Sequence, residues 1–216
     1  MDNLIKNRII IIAGGFGSGK TNIAVNLAEF IAQSGKNVSV TDLDIVNPYF
    51  RSADNVKELT ALGIRAFVPE FANTNVEIPS LPKEYCSIFS SDDIAVVDVG
   101  GDPEGAIVLS VDAEKYEKSG YSMYYVYNCY RPMTSSPEQA LALLRHIEHT
   151  SRLSFSGVIN NSNLGTETTA ELVRASFPKA KRLSELSDLP LLATTAINIL
   201  GLDGVTPIKN KTRVLF

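Results

Sequence analysis

The sequence predicts an α/β fold: a doubly wound, mostly parallel sheet of about seven strands, formed as a single domain over residues 1–216. Three observations predict it. Short β-branched apolar runs alternate with stretches of helical spacing. A glycine-rich loop joins the first run to the first helix, and a later apolar run ends in an acid followed by two glycines. Together these features are typical of a three-layer P-loop NTPase.

Composition narrows the function classes. The chain has 216 residues, of which 44% are hydrophobic and 20% charged, enough to bury one full core. A net charge of −4 gives no general nucleic-acid signal. We also expect no signal peptide or membrane span, because the N-terminus has no basic region or small-residue cleavage site and no stretch of eighteen apolar residues occurs. Cys86 and Cys129 are isolated, which favours a cytoplasmic protein with structural thiols.

The glycine-rich loop matches G-x-x-x-x-G-K-[ST] (Walker A) at every fixed position. Its glycines let backbone N–H groups turn toward a polyanion, Lys20 adds a charge for the β- and γ-phosphates, and Thr21 offers a hydroxyl to Mg²⁺. A strand predicted over 8–13 and a helix over 20–33 supply the required context. The predicted phosphate-binding residues are Gly14, Gly15, Phe16, Gly17, Ser18, Gly19, Lys20 and Thr21.

The second strand, over 37–42, runs into Asp42 and Asp44. Since a β-α-β unit gives parallel strands, both acids fall on the same sheet edge as the phosphate loop, where open α/β folds bind ligands. A helix over 52–62 and a short strand over 64–68 follow. Residues 69–91 are irregular, and three roles stay open for them: a substrate cover, a partner surface or a plain excursion.

The apolar strand over 94–98 ends in Asp98, and Gly101 follows three positions later. This pattern resembles a Walker B strand running into D-x-x-G. An acid there holds a Mg²⁺-bound water, and the glycine amide can approach a γ-phosphate whose loss releases the loop. The alternative is that Asp98 merely caps the end of its strand.

The rest of the chain continues the alternation. Ser136 at the N-cap and Pro137 at N1 predict a helix start. The C-terminal basic residues after 208 indicate a solvated tail or a closing strand rather than a membrane or partner tag. The remaining predicted elements are helices over 103–118, 137–150 and 166–177 and strands over 122–128, 155–160 and 189–194.

The order of the three motifs resembles the MinD/ParA/CobQ/CobB nucleotide-binding superfamily of the SIMIBI class over nearly the whole chain. The resemblance implies a Mg²⁺- and ATP-dependent protein, often a nucleotide-sandwich homodimer. In such proteins switch loops change partner binding upon hydrolysis.

The resemblance also implies residue roles. Lys20, Asp44 and Asp98 would be catalytic, with Asp44 in switch I orienting or activating the attacking water. Thr21, Asp42 and Asp98 would serve the metal, Asp42 through a water. Asp98 would open switch II, in which Gly101 contacts the γ-phosphate. An asparagine past a late strand would recognise the base, here Asn161, or else Asn160, with residues 194–197 beside it.

One departure concerns the second signature lysine, whose place is taken by Gly15. A lysine reaching across a dimer is therefore not expected here. Arg51 or Arg131 could supply that charge at a phosphoryl transition state. Each could equally be a surface arginine or the partner of a carboxylate. Without bridging cysteines, iron–sulfur chemistry is disfavoured.

Three functions remain open. The first is a Mg²⁺-dependent ATPase acting as a nucleotide-driven switch, as a homodimer that an unknown protein partner reads. The second is an ATP-dependent metabolic kinase or ligase, similar to dethiobiotin synthetase, that transfers phosphate to a small acceptor. The third is a module that holds nucleotide and scarcely hydrolyses it. The preference for ATP over GTP follows from the resemblance, and the chain lacks the N-K-x-D guanine motif.

Overall fold

The computed structural model describes residues 1–44, 56–67, 83–101 and 103–211. Their strands form one parallel sheet of eight in the order β3-β2-β4-β1-β5-β6-β7-β8. The strands are β1 (Ile9–Ala13), β2 (Val38–Asp42), β3 (Arg65–Phe67), β4 (Ile94–Asp98), β5 (Tyr121–Tyr127), β6 (Gly157–Asn160), β7 (Leu191–Ile197) and β8 (Val205–Ile208). The helices are α1 (Lys20–Gln33), α2 (Val56–Ala61), α3 (Pro103–Ser110), α4 (Ala113–Ser119), α5 (Pro137–Ser151) and α6 (Ala170–Ser187).

The core lies on both faces of this sheet, as the continuous apolar runs predict. Along β1, Ile10 and Ile12 pack into the cluster beneath α1 and α2, whereas Ile9 and Ile11 pack into the cluster beneath α3, α4, α5 and α6. Side chains alternate between faces in a strand, so one buried isoleucine run serves both layers. The doubly wound, three-layer fold is thus confirmed.

The strand order places the ends of the motif-bearing strands side by side. Strand β1 lies between β4 and β5, and β2 lies on the far side of β4. In the register, Asp98 is opposite both Ile12 and Asp42. The carboxyl ends of these three strands therefore meet at one point of the sheet edge.

Two helices differ from the prediction. The helix predicted over 103–118 is two helices, because the chain leaves the helical conformation at Asp112, which becomes the N-cap of α4 and pairs with Lys115 at 2.7 Å. The helix predicted over 166–177 begins after Thr169, whose side chain accepts a hydrogen bond from the Leu172 N–H. It then continues through Pro178 to Ser187, since the face carrying Leu183 is buried against the sheet.

The eighth strand, β8, was not predicted; it precedes the basic C-terminal segment, of which residues 212–216 lie outside the described residues. It contains Pro207, which an edge strand tolerates because its outer side makes no ladder bonds. The predicted start of α5 is confirmed: Ser136 and Gln139 form a capping box.

The other predicted helix and strand boundaries differ from the observed ones by no more than three residues. Of the irregular stretch, residues 83–89 form a 3₁₀ helix, while 69–82, and residues 52–55 of the predicted second helix, lie outside the described residues. Both cysteines are free, Cys129 buried and Cys86 exposed. Within the described ranges, none of the helices is apolar over a length that would cross a bilayer.

Candidate nucleotide-binding site

The loop between β1 and α1 has the backbone that its glycines predict. Gly17 (φ 69°) and Gly19 (φ 88°) adopt left-handed conformations, and Gly19 is the N-cap of α1. Gly14 approaches the neighbouring strand so closely that a Cβ there would lie 2.5 Å from the Val126 carbonyl oxygen. The loop therefore wraps the helix N-terminus, where backbone N–H groups and the helix dipole favour an anion.

Lys20 lies over this loop. Its Nζ donates to the Gly15 carbonyl at 3.2 Å, and the residue is largely buried. Gly101 comes close from the other side: a Cβ there would meet the Phe16 Cα at 2.9 Å and the Lys20 Nζ at 3.2 Å. The two glycine-bearing loops, one after β1 and one after β4, thus face each other across the lysine head.

Thr21 and Asp98 are joined directly. The Thr21 hydroxyl donates to Oδ2 of Asp98 at 2.6 Å, and Asp98 is 1% exposed. Its other oxygen, Oδ1, is buried with no hydrogen-bond partner among the described residues. Burial raises the pKa of Asp98 to about 7; the Thr21 hydrogen bond and the Lys20 charge oppose this rise, and the Asp44 charge adds to it.

This pair fits a magnesium ion. A hydroxyl and a carboxylate are the hard oxygen donors that Mg²⁺ takes alongside phosphates and waters. The buried Asp98 Oδ1 lacks a partner in the described chain, and a cation would satisfy it. In the described ranges, no group of three or more His, Cys, Asp and Glu side chains is arranged to hold a metal ion.

Asp42 is the last residue of β2 and Asp44 follows two residues later, as predicted, but the two side chains have different surroundings. Oδ1 of Asp42 accepts a hydrogen bond from the Asp44 N–H at 2.9 Å, which fixes the turn after the strand. The Asp44 side chain lines the cavity, and its Oδ1 would be 3.4 Å from a Cβ on Gly100. Asp44 is thus placed against the D-x-x-G loop.

A cavity of about 290 Å³ opens between these loops. Of the predicted site residues, Phe16, Gly17, Gly19, Lys20, Thr21, Asp44, Gly101 and Arg131 line it. Those that do not line it are Gly14, Gly15, Ser18, Asp42, Asp98 and Asn161. Arg51 lies outside the described residues. The cavity is lined by Phe16, Gly17, Gly19, Lys20, Thr21, Asn22, Asp44, Gly101, Arg131, Asn163, Gly165, Ile197 and Asn210.

Asn161 supports the loop from behind. It is fully buried, its Nδ2 donates to the Ser18 carbonyl at 2.8 Å and its Oδ1 accepts from Thr195 at 2.9 Å. Asn160 is also internal, bound to Ser176. The cavity is instead lined by Asn163, two positions along, whose Nδ2 donates to the Asn161 carbonyl at 2.7 Å.

Three lining asparagines were missed in the sequence: Asn22, Asn163 and Asn210. Asn163 lies two positions past Asn161 in the same asparagine-rich turn, but residues two apart in an extended segment face the same side, so spacing alone could not tell which of them reaches the cavity. No local sequence pattern identifies Asn22 or Asn210 as site residues. They are 188 positions apart, and Asn22 Nδ2 donates to Asn210 Oδ1 at 3.4 Å.

Arg131 stands beside the phosphate loop. Its Nε donates to the Gly17 carbonyl at 2.8 Å, and its guanidinium carbon would lie 3.5 Å from a Cβ on that glycine. The residue lines the cavity. Of the two arginines proposed from the sequence, this one therefore brings its charge to the phosphate loop within the same chain.

Similar solved structures have the same fold at low identity. Chloroplast FtsY from Physcomitrella patens matches with a TM-score of 0.61 and 15% identity, over 94% of this chain and 61% of that one. FtsY from Thermotoga maritima matches at 0.56 and 14%, over 94% and 65%. The signal recognition particle 54 kDa protein from Aeropyrum pernix, in complex with GDP, matches at 0.55 and 15%, over 90% and 42%. This chain thus spans under two thirds of each.

A comparison with curated protein sequences returned no match. The model of the CobQ/CobB/MinD/ParA nucleotide-binding domain (CbiA) matches residues 9–186. That range contains the phosphate loop, both acidic strand ends and Asn161, and it covers most of the chain. With its loop, sheet order and matched range in agreement, the protein belongs to the CobQ/CobB/MinD/ParA family of P-loop nucleotide-binding domains, of the SIMIBI class.

Proposed function

We propose that this chain is a Mg²⁺-dependent ATP-binding protein whose ATPase activity drives a nucleotide switch. The observation that carries the proposal is the 2.6 Å bond between Thr21 and Asp98 at the foot of the Lys20 cavity. It joins the two motifs that a nucleoside triphosphatase needs in one place, with a buried carboxylate oxygen that lacks a partner among the described residues.

Each residue has a distinct task in this proposal. The loop amides and Lys20 bind the phosphates. Thr21 and Asp98 would hold Mg²⁺, with Asp42 acting through a water, and the ion would neutralise phosphate charge. Asp44, which lines the cavity, orients or activates the attacking water.

The switch would come from the two loops that face the phosphate loop. Asp44 and Gly101 lie at the ends of β2 and β4, where Gly101 approaches both Phe16 and Lys20. A γ-phosphate in the cavity would hold both loops, and its loss would release them. A protein partner, still to be identified, would respond to that difference in a cytoplasmic setting.

A homodimer is part of the proposal. Phe16 on the phosphate loop is 60% exposed and Met133, two residues past Arg131, is 75% exposed. Aromatic and methionine side chains are enriched at protein interfaces, so in this proposal a second copy of the chain would cover these two. With Gly15 in place of the second signature lysine, Arg131 would supply the additional charge from the same chain.

The alternative is an acceptor-dependent kinase or ligase. The contact of Arg131 with its own phosphate loop favours it, because the positive charge is then in place without a second subunit. In that case the cavity would admit a small carboxylate or hydroxyl acceptor beside the γ-phosphate. Phosphate release without an acceptor would then be negligible.

The test is phosphate release from ATP and from GTP with Mg²⁺, together with molecular mass with and without nucleotide. Lys20→Ala is the blank, and Lys36→Ala, on an exposed residue beyond α1, is the matched control. Loss of the Lys20 charge should weaken ATP binding by about 100-fold, since hydrogen bonds to charged groups are worth roughly 1.5–3 kcal/mol.

Slow, ATP-selective release with a nucleotide-induced dimer would support the switch. A nucleotide-independent mass with release that appears only upon adding a small acceptor would favour the alternative. If Lys20→Ala bound ATP as tightly as the wild type, the phosphate-loop assignment itself would be wrong.

A further inference from the structure

One face of α1 carries three polar side chains one above another. Asn22, Asn26 and Glu29 are spaced as i, i+4 and i+7, so they share one stripe of the helix. All three are buried, at 5%, 8% and 6% exposure. Burying polar groups is costly unless they are paired, so this stripe is built to hold a particular partner.

The partner is the chain that follows β8. Asn26 binds the backbone of Lys209 in both directions, accepting from its N–H at 2.9 Å and donating to its carbonyl at 2.8 Å. Asn22 accepts from the Lys211 N–H at 2.6 Å. These bonds replace the ladder partners that an extended segment would find in a sheet, so residues 209–211 are fixed along α1.

Lys211 forms the last contact between residues 209–211 and the helices. Its Nζ is 2.6 Å from Oε1 of Glu29 and also pairs with Glu58 of α2. Burial alone lowers the pKa of Lys211, but the hydrogen bonds and charges of the two glutamates outweigh it and the pKa is raised. The lysine therefore stays charged and ties the segment to both helices on this face.

Asn210 lies between these two anchored residues and lines the cavity. Its Oδ1 accepts from Asn22 Nδ2 at 3.4 Å, next to Thr21 at the start of α1. Ile197, which also lines the cavity, is in register with Ile208 two residues before Asn210. Through Asn210, the segment 209–211 thus lines the part of the cavity beyond the phosphate loop.

We propose that Asn210 contacts the base of the bound nucleotide and contributes to selection of adenine, with Asn22 and Asn26 as its positioning residues. This rests on the proposed nucleotide binding. An asparagine amide presents one donor and one acceptor, the pattern that pairs with an adenine edge. The C-terminal segment then completes the nucleotide site from a position in the sequence far beyond its motifs.

The experiment compares the affinities of ATP, GTP and inorganic tripolyphosphate for the full chain. Asn210→Ala changes an exposed side chain, so it should fold normally. We expect its ATP affinity to fall about 10-fold and its preference for ATP over GTP to shrink by a similar factor. Tripolyphosphate, which has no base, should bind as it does to the wild type.

Two further variants separate positioning from general structure. Asn26→Ala should reduce the preference for ATP over GTP in the same direction, because Asn210 loses its anchor. Lys209→Gln is the matched control: it alters the same segment, but the bonds to Asn26 come from the Lys209 backbone and remain. Its nucleotide preference should match the wild type.

The results that would contradict this inference differ from those that would contradict the proposed function. If Lys20→Ala loses tripolyphosphate and ATP while Asn210→Ala keeps the wild-type ratio of ATP to GTP affinity, nucleotide binding stands and the role of Asn210 is overturned. If Asn210→Ala weakens tripolyphosphate as much as ATP, the base contact is likewise wrong. If the wild type binds none of the three ligands, the proposed function itself fails.

Discussion

The hydroxyl of Thr21 and the carboxylate of Asp98 are hydrogen-bonded at 2.6 Å although they are 77 residues apart in the chain. The contact exists because β1 and β4 are neighbours in register and Thr21 lies in the first turn of α1, the helix that follows β1. It brings the phosphate loop and the acidic strand end into direct contact.

Removing the Thr21 hydroxyl should abolish most of the effect of Mg²⁺ on ATP affinity. In Thr21→Ala, Oδ2 of Asp98 loses the hydrogen bond that the Thr21 hydroxyl donates, which should lower the free energy of unfolding by about 1–3 kcal/mol. ATP affinity should also become nearly independent of Mg²⁺. Urea unfolding and ATP titrations with Mg²⁺ or EDTA measure both effects. Thr21→Ser keeps the hydroxyl and should behave as the wild type; an alanine variant with an unchanged Mg²⁺ effect would contradict the assignment.

Asp44 should matter for turnover and little for binding. Its side chain lines the cavity opposite the phosphate loop, where an attacking water would be positioned. Asp44→Ala should slow phosphate release from ATP by about 100-fold or more, as expected for loss of a general base, while ATP affinity changes little. Asp203→Ala, on an exposed residue, is the control. Unchanged turnover in Asp44→Ala would leave Asp44 as a strand-end residue.

Arg131 should provide transition-state charge from within the same chain. Arg131→Ala should slow phosphate release by about 1000-fold, the lower end of the effect of an arginine at a phosphoryl transition state. Lysine cannot reproduce the planar guanidinium, so Arg131→Lys should restore the rate only in part. Single-turnover phosphate release measures the chemical step, and Arg174→Ala, on an exposed residue of α6, serves as control. A wild-type rate in Arg131→Ala would show that the arginine only supports the loop.

The Tyr85–Tyr116 pair should make stability fall at alkaline pH. The two hydroxyls are 3.0 Å apart and buried, and burial raises the pKa of both phenols. Their contribution to stability is complete below the unfolded pKa of about 10 and is lost as pH rises from there toward the folded pKa values. Urea unfolding between pH 8 and 11 should therefore show a decline that is shallower in Tyr85→Phe/Tyr116→Phe. An identical decline in that variant would rule the pair out as a cause.

The order of elements and the phosphate loop were predictable because their signals are local. Left-handed glycines at 17 and 19, the capping box at Ser136 and the apolar run of β1 each depend on residues within one turn or strand. The parallel arrangement then follows from strand-helix alternation. For the same reason, Asp98 and Thr21 could be assigned to one sheet edge before any contact was known.

The tertiary structure decided the length of α6, the orientation of the asparagines and the burial of polar side chains, because each depends on residues distant in sequence. Helix α6 passes through Pro178 since burial of its apolar face outweighs the lost backbone bond. Asn161 turns under the loop and Asn163 toward the cavity. The polar stripe of α1, ordinary in the sequence, is buried because the segment after β8 returns to it. Sequence alone thus determined the phosphate loop and its fold; packing decided which side chains complete the pocket.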